Sequence, residues 1–143
     1  MNKIRVLIID DHSAVCQALA VRLGAVASIK IVGATCDFVE GLRAVKLQQP
    51  DIILLEPKAS GDSDRQQSQV DSVAVISSVL ARACSNVIIL TSYLDETERD
   101  IAIETGAKRY LLKDIDTARL IAEIEEIAYE DFRESTWPST TEN

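Results

Sequence analysis

Asp10 and Asp11 stand side by side directly after the apolar run Ile4-Arg5-Val6-Leu7-Ile8-Ile9. Adjacent carboxylates repel and raise each other's pKa unless a cation lies between them. Three further groups follow short apolar runs in the same way. Glu56 follows Ile52-Ile53-Leu54-Leu55, Thr91 follows Val87-Ile88-Ile89-Leu90, and Lys113 follows Arg109-Tyr110-Leu111-Leu112. Three carboxylates around one point make an oxygen-rich site for Mg²⁺, which takes few protein ligands and keeps several waters. A lysine beside them can hold a second anion such as a phosphoryl group. A threonine hydroxyl can turn inward to bond that anion. These are the parts needed to move a phosphoryl group onto a carboxylate and sense its arrival. The plainer alternative is that Asp10 and Asp11 only cap the helix that follows.

Such a site exists only if the elements bring these residues together. The apolar runs are short and rich in Val, Ile and Leu, as expected of strands buried on both faces. They span Ile4–Ile9, about Ile29–Val32, Ile52–Leu55, Val87–Leu90 and Arg109–Leu112. Helical patterns alternate with them. Ser13 is expected to cap the first, whose apolar face uses Val15, Leu19, Leu23 and Val26. Asp37 with Glu40 opens the second in capping-box spacing, Phe38, Leu42 and Val45 line it, and Gln49-Pro50 stops it. The third runs from about Val70 to Arg82 and buries Val73, Ile76 and Leu80. Asp95 with Glu98 opens the fourth, whose Ile101-Ala102-Ile103 is poorly striped, and Gly106 closes it. Asp116 caps the fifth, with Leu120, Ile121, Ile124, Ile127 and Ala128 in a helical stripe. Five βα units with short connections predict a doubly wound, five-stranded parallel sheet in a three-layer α/β sandwich. Parallel connectivity puts every strand's carboxyl end on one edge, where such sheets place ligands. The long polar stretch from Pro57 to about Gln69 is of a length usually reserved for function or motion.

The chain of 143 residues suits one domain, expected over residues 1–130, with 131–143 as a polar tail or linker stub. No apolar run reaches the ~18 residues needed to span a bilayer. Met1-Asn2-Lys3 leads straight into the first strand, so neither a signal peptide nor a membrane partner is expected, and the expected location is cytoplasmic. A net charge of −8 argues against direct nucleic-acid contact, which needs clustered Lys and Arg. Cys16, Cys36 and Cys84 lack any zinc-ligand spacing and are expected as buried, reduced thiols.

Asp10-Asp11-His12, Thr91-Ser92-Tyr93 and the run from Gly106 to Asp114 also carry a family resemblance. The chain resembles the receiver domains of bacterial two-component response regulators, the CheY-like family, over about Lys3 to Tyr129. The last run is most similar to receivers that precede a LuxR-type helix-turn-helix domain, the NarL/LuxR-type subfamily. The resemblance implies the flavodoxin-like strand order 2-1-3-4-5 of CheY. It implies Mg²⁺ held by Asp10, Asp11 and the residue at position 56, with Asp11 the direct ligand and Asp10 acting partly through water. Thr91 and Tyr110 would be the switch pair, and Lys113 the phosphoryl partner. The implied partners are a sensor histidine kinase and an output protein or domain. The last helices and strand would face a partner or a second copy, as in a homodimer.

One departure carries more weight than the matches. The family places an aspartate at the end of the third strand as phosphoacceptor, and here that position is Glu56. The extra methylene moves the carboxylate by about one bond, and a ~1 Å misplacement can cost ~10²-fold in rate. Phosphorylation is therefore expected to be slow or absent. Glu56 would imitate a phosphorylated aspartate, incompletely since a phosphoryl group carries ~1.5–2 charges, or pair statically with Lys113; the third alternative is genuine phosphorylation, at Glu56 or a substitute. Asp51 lies five residues back and roughly 16 Å away along a strand, so it is a poor substitute. Asp62 and Asp64 lie on the long loop. His12 reads as a surface residue at the helix start, Tyr110 as a half-exposed aromatic, and Glu123, Glu125 and Glu126 as a solvated face. The leading function is a signalling module without catalysis of its own. The rivals are a small flavin- or nucleotide-binding enzyme on the same fold, which would need a phosphate loop after strand one, and a degenerate scaffold without metal or phosphate binding.

Overall fold

The first strand explains the layering. In the computed structural model, which describes residues 3–57, 74, 76–81 and 85–136, with side chains as far as residue 130, β1 (Ile4–Ile9) runs through the centre. Alternate β1 residues point to opposite faces. Leu7 and Ile9 enter one apolar cluster and Val6 and Ile8 the other. The chain then forms α1 (Ser13–Gly24), β2 (Ile29–Thr35), α2 (Phe38–Gln48) and β3 (Ile52–Leu55). A helical segment, α3 (residues 76–80), precedes β4 (Asn86–Thr91), α4 (Glu96–Thr105), β5 (Arg109–Leu112) and α5 (Thr117–Thr136). The sheet order is β2-β1-β3-β4-β5 and every pairing is parallel, as expected. Leu19, Leu23, Leu120 and Ile124 bring α1 and α5 to one face. Val45, Ile76, Val79 and Ala102 bring α2, α3 and α4 to the other.

Two glycines let helices close onto this frame. A Cβ on Gly41 would lie 2.8 Å from Ile9 Cδ1, so only glycine lets α2 approach β1 this closely. Gly106 ends α4 at φ 132°, a backbone that side chains rarely adopt, and a Cβ there would meet Leu80 Cδ1 at 2.7 Å.

Several local expectations need correction. Ser13 is the first residue of α1 and not its cap. His12 holds the cap position in extended backbone without a capping side chain, and Asp10 Oδ1 accepts the His12 N–H at 2.9 Å. β2 runs on to Thr35, since Val32 bulges out between the Ile31 and Gly33 pairings and the ladder resumes beyond it. In α3, Val79 is fully buried and Leu80 only partly, while Val73 lies outside the described residues. α5 continues through Thr136, so residues 131–136 extend the helix past the boundary read for the tail. No proline or glycine interrupts that stretch before Pro138. Cys36 is exposed, whereas Cys16 is buried, with burial and then Asp10 pushing its thiol up to about 11. Cys84 and the loop with Asp62 and Asp64 lie outside the described residues.

Candidate functional site

The carboxyl ends of β1, β3, β4 and β5 deliver Asp10, Glu56, Thr91 and Lys113 to one edge of the sheet. Backbone bonds fix three of these positions. Asp10 N donates to Thr35 O, Glu56 N to Ile9 O and Lys113 N to Thr91 O. Asp51 sits at the opposite edge, where Asp51 Oδ2 accepts the Arg5 N–H at 2.9 Å, so it is far from this pocket as expected.

The centre of the pocket is the Lys113 ammonium. Its Nζ lies 2.8 Å from Asp10 Oδ2 and 2.8 Å from Glu56 Oε1. The lysine side chain is 9% exposed and the two carboxylate side chains 2% and 4%. Burial alone pulls the ammonium's pKa down, but the two carboxylates more than offset it and hold it above its ordinary value. One lysine thus bridges two acids that would otherwise face each other.

Asp11 is the more open acid, yet its Oδ1 is shielded from water and has no hydrogen-bond partner among the described residues. His12 Nδ1 approaches that oxygen to 3.0 Å without the alignment of a hydrogen bond, and lies 3.3 Å from both Asp10 Oδ1 and Lys113 Nζ. An orphaned, dry carboxylate oxygen is what a bound cation satisfies. Ligand atoms of Asp10, Asp11 and His12 all lie within 4.8 Å of one another. Donor chemistry and spacing therefore fit a divalent ion. The grouping is Asp10, Asp11 and His12, where the expected set was Asp10, Asp11 and Glu56; Asp10 and Glu56 both contact Lys113. His12 is at the surface as read, but its ring faces both acids. Nothing in its sequence position distinguishes that from an ordinary helix start.

Thr91 and Tyr110 form a second cluster beside the pocket. Thr91, 1% exposed, accepts the Tyr93 N–H and donates to Tyr93 O, folding the chain after β4. Tyr110 is 8% exposed, which corrects the half-exposed reading. Its phenol donates to Glu98 Oε1 at 2.6 Å, accepts the Asp95 N–H at 3.3 Å and neighbours the Thr91 hydroxyl. Burial first, and then the Glu98 carboxylate, push the phenol far above its ordinary pKa. Sequence reasoning missed Glu98, whose spacing from Asp95 signalled only a helix cap. On α5, Glu125 and Glu126 are exposed as read, while Glu123 is only partly so. Glu123 and Glu126 each sit 2.6 Å from the Arg109 guanidinium, and Glu125 accepts from Ser28. The Arg109 hydrogen bond is the main cause holding the Glu123 carboxyl below its usual range.

This fold and pocket define a class. The sequence profile of the response regulator receiver domain matches residues 6–125. The chain belongs to that family and is a receiver domain of the kind used in two-component signal transduction. Among curated proteins it is similar to the transcriptional regulatory protein LiaR of Bacillus subtilis, with 34% identity over 111 residues, 77% of this chain and 49% of LiaR. It is also similar to the transcriptional regulatory protein BtsR of Escherichia coli K12, with 32% identity over 117 residues, 82% of this chain and 45% of BtsR. The chain spans about half the length of the curated relatives it matches. The receiver domain of NarL from Mycobacterium tuberculosis superposes with a TM-score of 0.78 at 23% identity, covering 90% of this chain and 98% of that one. A CheY-like receiver from Methanospirillum hungatei gives 0.74 at 21% identity, covering 94% and 99%. These two likenesses establish the CheY-like, flavodoxin-like fold. No described helix is long and apolar enough to cross a membrane.

Proposed function

We propose that this receiver signals by protein–protein contact from a pocket in which Lys113 already pairs with Asp10 and Glu56, and that phosphoryl transfer to position 56 is slow or absent. The observation that carries the reading is the Lys113 bridge, 2.8 Å to Asp10 and 2.8 Å to Glu56. The lysine expected to hold an incoming phosphoryl group is engaged by the residue standing at the acceptor position. That arrangement favours a static ion pair over mimicry of a phosphorylated aspartate. A divalent ion such as Mg²⁺ would be held by Asp10 and Asp11, with His12 within reach of the same point, while Asp10 and Glu56 both contact Lys113. When bound, it would neutralise the acids and orient phosphoryl oxygens.

Receiver domains of this family interact with histidine kinases and output domains. For this chain we assign that contact to α4, β5 and α5, where Ile103 on α4 and Leu94 just before it are exposed apolar residues. A sensor kinase, an output domain and a second copy are the candidate partners. We read the domain as having no catalysis of its own and as working in the cytoplasm. The flavin or nucleotide enzyme is not favoured, because Asp10 and Asp11 stand where a phosphate loop would be needed and the family is one of signalling modules.

Incubation with a small phosphodonor and Mg²⁺, followed by intact-mass spectrometry, tests the reading. The unaltered protein is expected to gain no stable phosphoryl adduct, whereas Glu56→Asp gains one. An adduct on most wild-type molecules would overturn the proposal. A Mg²⁺ titration followed by NMR separates it from a scaffold that binds no metal.

A further inference from the structure

Two thiols from different elements meet beside the pocket. Cys16 belongs to the first turn of α1 and is 3% exposed, whereas Cys36, the residue after β2, is exposed. The Cys16 thiol donates to Thr35 O at 3.7 Å, and Cys36 follows Thr35 in the chain. A trans peptide sets a carbonyl oxygen about 2.8 Å from the next Cα, so the Cys16 sulfur lies within about 6.5 Å of Cys36 Cα. The two side chains also share a face of the sheet. A Cβ on Gly33 would meet Leu7, which packs on the α2 side, so alternation sends position 34 and then position 36 to the α1 side. Thr35 turns the other way, and its hydroxyl accepts the Asp37 N–H at 3.1 Å at the entry to α2. Cys36 is near enough to help push up the Cys16 thiol, after burial and Asp10.

We propose that Cys16 and Cys36 are a site of oxidative modification, closing to a disulfide that ties α1 to the exit of β2. The oxidant is a peroxide. It reaches the exposed Cys36 first, whose sulfur takes one peroxide oxygen as a sulfenic acid, while the other oxygen leaves as water with the thiol proton. The Cys36 side chain then turns toward α1, and the Cys16 sulfur displaces the sulfenic hydroxyl. The S–S bond forms as the S–O bond breaks, and the Cys16 proton leaves with the hydroxyl as a second water. Each sulfur gives up one electron, and the peroxide O–O bond takes both. Burial makes Cys16 a poor first target, but its own step is intramolecular, where proximity supplies the rate. Thr35 O connects the pair to the acidic site. It accepts the Asp10 N–H at 3.0 Å as well as the Cys16 thiol, and the Cys16 N–H donates to His12 O at 2.9 Å. Closure removes the thiol hydrogen and leaves that carbonyl to Asp10. In a reducing compartment the thiols are the resting state and the bridge is transient. None of this depends on residue 56.

The test treats the dilute full chain with hydrogen peroxide, blocks the remaining thiols by alkylation and digests with trypsin without reductant. Trypsin places Cys16 in the peptide 6–22, Cys36 in 31–43 and Cys84 in 83–99. The expected product is peptide 6–22 joined to 31–43, lighter than the sum of the two by two hydrogens, in most molecules. Dithiothreitol restores the separate peptides. In a ¹H–¹⁵N spectrum the Asp10 amide, which shares Thr35 O with the Cys16 thiol, shifts on oxidation and returns on reduction. In Cys36→Ser the joined peptide disappears and Cys16 is recovered alkylated. In Cys16→Ala the Cys36 sulfenic acid persists and is captured by dimedone, which finds little of it in the unaltered chain. If Cys16→Ala does not fold, Cys36→Ser and the peptide map decide the matter. A Cys36 that ends as sulfinic acid, or that bridges to Cys84 or to a second chain while Cys16 is alkylated, overturns the pair. An Asp10 amide that does not move when the bridge forms overturns its connection to the acidic site.

Discussion

Replacing Lys113 by Met tests the physical core of the pocket. The substitution keeps an unbranched side chain of similar length and removes the charge. Two carboxylates, each under 5% exposed, lose the ammonium that lies 2.8 Å from both. Breaking a buried ion pair by removing one partner costs about 3–5 kcal/mol, because a charge is left buried and uncompensated. The pocket opens to water beside Asp11, whose side chain is 29% exposed, so the low end, about 3 kcal/mol, applies. That is a large share of the ~5–15 kcal/mol that holds a domain together. For a chain of this length it lowers Tm by about 10 °C. Thermal and urea unfolding followed by circular dichroism would measure the loss. Two dependences identify its origin. Mg²⁺ should recover more stability in Lys113→Met than in the wild type, up to about 2.7 kcal/mol at a hundredfold excess over Kd. The pH profiles should also part at the alkaline end. The Lys113 pKa is raised in the folded state, so its contribution is complete below the unfolded lysine value and drains away as pH climbs through the folded value. The wild type shows that loss and Lys113→Met does not. A loss below about 1 kcal/mol, the range of an exposed pair, with equal Mg²⁺ effects in both proteins, would refute the reasoning.

Two further substitutions probe the frame around the site. Arg109→Ala removes the pairs with Glu123 and Glu126. The guanidinium is 28% exposed and Glu126 60%, so solvent screening limits the cost to about 1 kcal/mol, shrinking in high salt. The Glu123 carboxyl is depressed in the folded state, so its contribution holds above the unfolded value and fades as pH drops through the folded one. Urea midpoints across the acid range should therefore fall less steeply for Arg109→Ala than for the wild type, and parallel profiles would dismiss the clamp. Gly106→Ala forces a side chain onto φ 132° and against Leu80 Cδ1. A loss of about 1–3 kcal/mol in the denaturant midpoint is expected, and an unchanged midpoint would show that the α4 exit relaxes freely.

The amino-acid order by itself determined the architecture. Short Val/Ile/Leu runs alternating with striped helices permit little besides a parallel sheet, and parallel strands must present Asp10, Glu56, Thr91 and Lys113 at a common edge. β1 and β3 were readable to the residue because both faces of each are covered and, apart from Arg5, they are apolar throughout. The ends of β2 and α5 were not. One depends on a bulge at Val32, and the other on a helix that persists through polar residues.

Tertiary structure alone decided who holds whom. That Lys113 bridges Asp10 and Glu56, that His12 turns its ring to the aspartates and that Arg109 gathers Glu123 and Glu126 are choices among rotamers of neighbours distant in the chain. No local periodicity encodes them. Glu98 is the plainest case. Its spacing from Asp95 spelled a helix cap, and only the packing of β5 beneath α4 placed a phenol between the two. Strand and helix periodicities report which face of an element is dry. They carry no information about which polar group, once buried, finds its partner across the layer.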